Sequence, residues 1–412
     1  TMDSTNAGQL VPYLDDIETI PGDEADDIER VVEAMQLLLE RHQAKNGDFV
    51  ADVHVKAHGY AEGELRVLPN LPEQLAQGLF EEDRVHRAVV RFSNAASKCQ
   101  PDALPDGRGM AIKVLGVSGE MLPEDEQSVP TQDFLMINHP VFFARNVKDF
   151  LRLERVLVQA DESPLATAQQ ALTGGDWNPL NWHWREVLSV AQIVGQLPLH
   201  PSSNIYFSAS PIRFGRYVAK YRAKPAGDRL DSYLDLVRQF GSDADAMRLA
   251  LEETLRTQEL LFEFQVQLRT SEQTMPIEDS TVEWPESESP YRTVAHLLLP
   301  RQEIALLRQQ AEYENLAFNV WHTLAAHRPL GGINRGRRSA YPVSFAWRRQ
   351  QAGVKSEPPT TNEITWFDSI RLRRGVKSEL VADAITAAKD SIRLRRGVKS
   401  ELNCVCVQSS ID

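Results

Sequence analysis

Seven short runs in this chain carry apolar residues at the two-residue period of a β-strand, and they limit the fold more than any other feature. In FVADVHVKAHGYAEGELRVL, Val53 and Val55 point one way while Asp52, His54 and Lys56 point the other. RAVVRFS, GMAIKVLG, SNIYFSAS, YVAKYRA, LLFEFQVQLRT and TVAHLLLP read as further strands. Between and before them, helical spacing recurs. From Asp26 to Lys45 it places Ile28, Val31, Val32, Met35, Leu38 and Leu39 on one face, and it returns at 146–158, 183–196, 228–240, 244–256 and 302–317. The pattern predicts an α+β chain whose antiparallel β-barrel core is flanked by helices.

Composition narrows the function. A net charge of −13 over 412 residues argues against nucleic acid or an anionic membrane as the main partner. No stretch approaches the roughly 20 apolar residues of a membrane-spanning helix. The first residues lack the basic and apolar regions of a signal peptide. Three cysteines do not make a disulfide framework, so a reducing cytoplasm is the expected location.

Charge also divides the chain. Residues 1–48 hold twelve acidic against three basic side chains, whereas 351–412 hold ten basic against eight acidic. We therefore expect an acidic N-terminal segment with an amphipathic helix (1–48), a central domain (49–350) and a C-terminal tail (351–412). In the tail GVKSE begins at 353, 375 and 397, and DSIRLRRGVKSEL occurs twice, from Asp368 and from Asp390. Such close identity reads as a recent duplication, with docking to a protein partner as the functional alternative. Cys404 and Cys406 form a lone C-x-C, weak as a metal site.

The stretch NRGRRSAYPVSFAWRR sets Tyr341 among arginines, with Arg337 four residues earlier. On a helix these two share a face. A guanidinium beside a phenol favours the ionised oxygen, a hard donor suited to ferric iron. The other reading is a surface helix with solvated arginines.

Four ordered segments, spanning residues 52–348, decide between the two. VHVKAHG, VVRFSNAASKCQPDALPDGRGMAIKVLG, NHPVFFARNVKDF and the R-x-x-x-Y-P-x-S-x-x-x-R of Arg337 to Arg348 together resemble the catalase family. The resemblance implies haem b, with Tyr341 as the iron ligand and Arg337 keeping it ionised. It makes His54 the distal acid–base group and Asn138 the amide that orients a peroxide. Arg91 and Arg348 match arginines that pair with haem propionates, Ser93 a serine beside the distal pocket, and Phe142 and Phe150 aromatic contacts of the haem.

Some positions depart from the family's pattern. Ile137 and Asn138 stand where the family carries two asparagines, and Ala51 stands where it carries an arginine. The stretch MPIEDSTVEWPESESPYRTVAHLLLPRQ looks more like a short catalase-related branch, which includes peroxidase-like proteins and an allene oxide synthase. Val53, just before His54, favours the catalase side. The expected activity is consumption of hydrogen peroxide or small organic hydroperoxides. Rearrangement of a fatty-acid hydroperoxide is the alternative enzyme, and a haem-binding cargo protein docked through its repeats is the alternative from another class. A homo-oligomer stays open. His58, His139, His322 and His327 read as structural, and the five-residue spacing of the last two suits no shared metal.

Overall fold

The computed structural model describes residues 10–46, 54–96, 99–122, 130–159, 173, 178, 191–193, 195–197, 199–226, 238–241, 243–303 and 317–351. Within some helix ends only the backbone is described, at 42–46, 156–159 and 348–351. The repeat tail, Ala51, Val53 and most of the expected helices at 183–196, 228–240 and 302–317 lie outside the described residues.

Among the described residues nine antiparallel strands form one sheet: β1 (Ala57–Val67), β2 (Val85–Asn94), β3 (Arg108–Leu115), β4 (Thr131–Ile137), β5 (Tyr206–Phe207), β6 (Ile212–Phe214), β7 (Tyr217–Pro225), β8 (Leu260–Leu268) and β9 (Arg292–Leu299). Their order is β5-β4-β3-β2-β1-β9-β8-β7-β6, and β5 also pairs with β7 through Tyr206↔Ala223 and Phe207↔Arg222. That second pairing closes eight strands into a barrel and leaves β6 as a hairpin beside β7.

Alternation explains the barrel's interior. Ala88, Val90 and Phe92 of β2, Met110, Ile112 and Val114 of β3, and Phe262, Phe264 and Val266 of β8 turn inward into one apolar core. Phe80, Phe134 and Phe264 meet at its centre: Phe80 stacks on Phe264 with ring centroids 5.7 Å apart, and Phe134 tilts against Phe264 at 4.7 Å. Lys113 of β3 and Asp133 of β4 stand on the other face and pair at 2.7 Å.

Four helices flank the barrel among the described residues: α1 (Glu24–Asn46), α2 (Val147–Gln159), α3 (Ala246–Thr257) and α4 (Gly332–Gln351). α1 opens with Glu24, Asp26 and Asp27, which complement the positive helix N-terminus. Its buried stripe of Val31, Ala34, Met35 and Leu39 packs towards α2 and α4, and Val31 meets Val147 and Leu151.

The same corner is locked by charge. Arg335 of α4 bonds Glu18, Glu24 (2.6 Å) and Glu278 (2.8 Å), side chains from three separate segments. These partners raise its pKa further despite burial. Removing one member of a buried ion group strands the rest without compensation, which costs about 3–5 kcal/mol. Arg335→Met is therefore expected to lower stability by about that much, read as a shifted urea midpoint at unchanged slope.

Candidate functional site

One end of the barrel gathers the polar residues singled out in the sequence. Strand register does this directly: Ala57 of β1 faces Ser93 of β2, Ser93 faces Gly109 of β3, and Gly109 faces Ile137 of β4. His54, Ser93 and Asn138 therefore end up at the rim of four adjacent strands although 84 positions separate the first from the last.

His54 itself is not on a strand. It precedes β1 with φ of +56°, a left-handed conformation that is costly for a residue with a Cβ. Surrounding bonds fix it there. Its N–H donates to the Ala95 carbonyl (3.3 Å), and its own carbonyl accepts from the Arg91 guanidinium (2.7 Å). Arg91 is held in turn by the Tyr60 hydroxyl at 3.1 Å.

The imidazole is equally constrained. Nδ1 lies 2.5 Å from the Asn94 carbonyl oxygen and 3.2 Å from Ser93 Oγ. A carbonyl only accepts, so Nδ1 carries the hydrogen and Nε2 keeps its lone pair. Burial, then the Arg91 charge, pushes the imidazole pKa down to about 4; the Asn94 carbonyl opposes them and Arg337 adds a smaller push. His54 is thus a neutral base in one tautomer at ordinary pH.

Gly109 makes room for that ring. A Cβ there would lie 2.7 Å from His54 Nδ1 and 2.7 Å from Ser93 Oγ, closer than such atoms approach. Gly109→Ala is expected to displace the imidazole and lower turnover by roughly a hundredfold, as a misplacement near 1 Å can, while the circular-dichroism spectrum stays unchanged.

Asn138 is buried, and much of its amide is engaged. Oδ1 accepts from the Arg108 N–H at 2.7 Å and Nδ2 donates to Asn204 Oδ1 at 3.2 Å. What it can still offer is its second N–H.

A second group of the residues singled out lies on and beside α4. Arg337 and Tyr341 follow each other at one helical turn, both half-buried. Arg337 Nη1 donates to Asn334 Oδ1 at 3.1 Å, and its guanidinium sits 5.3 Å from the centre of the Phe142 ring. Phe142, Phe143 and Phe150 form a half-buried aromatic cluster, with centroids 4.1 Å apart for the first two and 6.1 Å for Phe142–Phe150. Arg337 bears electrostatically on both His54 and Tyr221, and Tyr341 on Tyr221. Arg348 lies on the same helix; its side chain is outside the described residues.

Sequence reasoning missed three contributors. Asn94 follows Ser93 in the same run yet supplies the carbonyl that sets the His54 tautomer. Gly109 gives the clearance and Asn204 holds Asn138. Among the described residues no three His, Cys, Asp or Glu side chains cluster as a metal site.

No family profile matches this sequence, and no curated protein does. Solved structures do match. A fungal catalase aligns with a TM-score of 0.57 at 19% identity over 75% of this chain and 61% of its own. Catalase A from Saccharomyces cerevisiae aligns at 0.58 and 19%, over 75% and 63%.

The chain has a catalase-like fold. A bacterial catalase gives the same answer, at a TM-score of 0.55 and 18% identity over 81% of this chain and 64% of its own. This catalase-like chain spans 61–64% of the length of these three structures. None of its helices, among the described residues, is long and apolar enough to cross a membrane.

Proposed function

We propose that the protein is a haem-dependent enzyme that consumes peroxide, hydrogen peroxide first and small organic hydroperoxides with an electron donor second. The observation that carries this reading is the neutral, single-tautomer His54 set at the rim of a catalase-like barrel. The donor set suits a flat iron macrocycle: a phenol and a guanidinium one turn apart on α4, aromatic faces beside them, and an imidazole with a free lone pair on the barrel side.

On this reading Tyr341 would ligate the iron, Arg337 would favour its ionised oxygen, and Phe142 and Phe150 would cover the ring. Arg91 would meet a propionate with the N–H groups not spent on His54 and Tyr60, and Arg348 a second one. The haem, when bound, supplies the electrons and the open coordination position for peroxide reduction. His54 Nε2 takes the proton from the peroxide oxygen nearer the metal and returns it to the departing one, so that water leaves. Ser93 and the Asn94 carbonyl keep the ring aimed throughout, and the remaining Asn138 N–H steadies the peroxide. A reducing cytoplasm remains the proposed setting.

The test is oxygen evolution from haem-reconstituted protein given hydrogen peroxide, with haem content measured on the same sample. Oxygen release is expected. Full haem with no oxygen and no donor oxidation, but with conversion of a fatty-acid hydroperoxide, would move the function to rearrangement. The pH profile follows from His54. Its pKa of about 4 keeps the base neutral from neutrality down to about pH 5. The specificity constant kcat/KM is therefore expected to be flat there and to fall about tenfold per pH unit once the imidazole protonates below pH 4.

A further inference from the structure

The pairing of β1 with β2 runs one residue past the start of β1. Ala57 faces Ser93, which sets Lys56 opposite Asn94, and the Asn94 N–H donates to the Lys56 carbonyl at 3.0 Å. In an antiparallel ladder such a pair exchanges two bonds, so the Lys56 N–H should return to the Asn94 carbonyl. It does not. That carbonyl lies 2.5 Å from His54 Nδ1, and the Lys56 N–H donates to Asn94 Oδ1 at 2.9 Å. The Asn94 side chain thus completes the ladder bond that its own backbone yields to the imidazole.

Both ends of the carboxamide are fixed. The Lys56 N–H can only donate, so the oxygen faces it, and the amide nitrogen is left for the Asp106 carboxylate, to which the Asn94 side chain is hydrogen-bonded. Asp106 is itself anchored by the Ala96 N–H at 3.2 Å and by Gln100 Nε2 at 3.3 Å. Lys56 cannot drift away either, because its Nζ bonds Asp102 at 2.8 Å and Asp245 at 3.1 Å. Lys56 and Asn94 are both buried, so bulk water does not replace a missing acceptor. The left-handed turn at His54 raises the demand. The N–H groups of His54, Val55 and Lys56 all bond to residues 94–96, whereas an extended strand would turn every second one away.

We propose that the Asn94 side chain is a positioning residue for His54: by taking the Lys56 N–H it releases the main-chain carbonyl that holds Nδ1–H and leaves Nε2 unprotonated. A residue of similar size without an oxygen at that place sets the Lys56 N–H and the His54 Nδ1–H against each other for one carbonyl. The ladder register and the Nζ anchors hold Lys56 where it is, so the imidazole is the partner that loses. The arrangement stands apart from the proposed reaction; only its effect on turnover rests on that reading.

NMR of the full chain without haem tests this. In the parent, coupling across the hydrogen bond should link the Lys56 amide to the side-chain carbonyl carbon of Asn94; coupling to its main-chain carbonyl carbon instead overturns the proposal. Nitrogen-15 histidine spectra at neutral pH should show His54 as a single Nδ1-protonated tautomer in the parent and as a mixture with the Nε2-protonated ring in Asn94→Leu. A folded Asn94→Leu that keeps the parent's tautomer overturns the proposal. Asn94→Asp combined with Asp106→Asn reverses the polarity of that bond and keeps an oxygen for Lys56, so the single tautomer should return. A mixture in this double variant overturns the proposal as well. Should Asn94→Leu not fold, the coupling in the parent and the double variant still decide. With haem bound, Asn94→Leu is expected to lose up to about a hundredfold in kcat/KM for hydrogen peroxide at unchanged haem content. A released tautomer with kcat/KM unchanged would remove His54 from the proposed reaction and leave the positioning role of Asn94 standing, so the two failures are told apart.

Discussion

His54→Asn is expected to lower kcat/KM for hydrogen peroxide by about 10²–10⁴-fold, the usual worth of a positioned acid–base group, without unfolding the protein. Asparagine suits this position for two reasons. It tolerates the left-handed backbone that His54 adopts at φ of +56° better than most residues do. Its amide nitrogen can also take the place of Nδ1 and donate to the Asn94 carbonyl, so the local bond survives. What is removed is the far edge of the ring, and with it the basic Nε2. Haem content and the urea midpoint should therefore match those of the parent, while turnover collapses. A variant with turnover within tenfold of the parent would remove His54 from the chemistry and with it the reading built on its tautomer.

That experiment depends on something the sequence did not display. The alternation of Val53, His54 and Val55 suggests a strand with His54 on its polar face, yet β1 begins three residues later, at Ala57. The backbone of His54 is set by Ala95 and Arg91 and its ring by Asn94, all some forty positions away, and a local pattern carries no record of such bonds. Where the outward residues of an element are charged or small, the reading was easy. β2 and β3 emerged from alternation, and the inward stripe of α1 from its helical period.

β4 was overlooked for the opposite reason. TQDFLMI is buried on both faces, because the segment at 319–323 covers its outer side: the Asp133 N–H bonds the His322 carbonyl, and the Asn319 N–H bonds the Asp133 carboxylate. Polar residues then lie buried beside apolar ones and the two-residue period is lost. Barrel closure was likewise invisible in detail, since β5 and β7 join through only two residue pairs. The Arg337–Tyr341 spacing was legible because a single helix turn holds both. Their neighbour Phe142 was named only through the family resemblance, and Tyr221, from another distant segment, was not named.

Tyr341→Phe carries the other large effect. The substitution deletes one oxygen from a half-buried side chain on α4 and keeps the ring, so the apo protein should lose no more than about 1 kcal/mol, the net worth of one hydrogen bond. Haem content after reconstitution is expected to fall to background, and oxygen evolution with it, because no other group on that helix turn can ligate iron. Arg337→Gln separates ligation from its support. It removes the charge but leaves the phenol, so haem should still bind, more weakly and with an altered absorption spectrum. If Tyr341→Phe loads haem fully, the iron is held elsewhere, and the pairing of Tyr341 with Arg337 is a packing feature of α4. If Tyr341→Phe fails to load while Arg337→Gln loads and turns over as the parent does, the ligand is right and the guanidinium has no part in keeping its oxygen ionised.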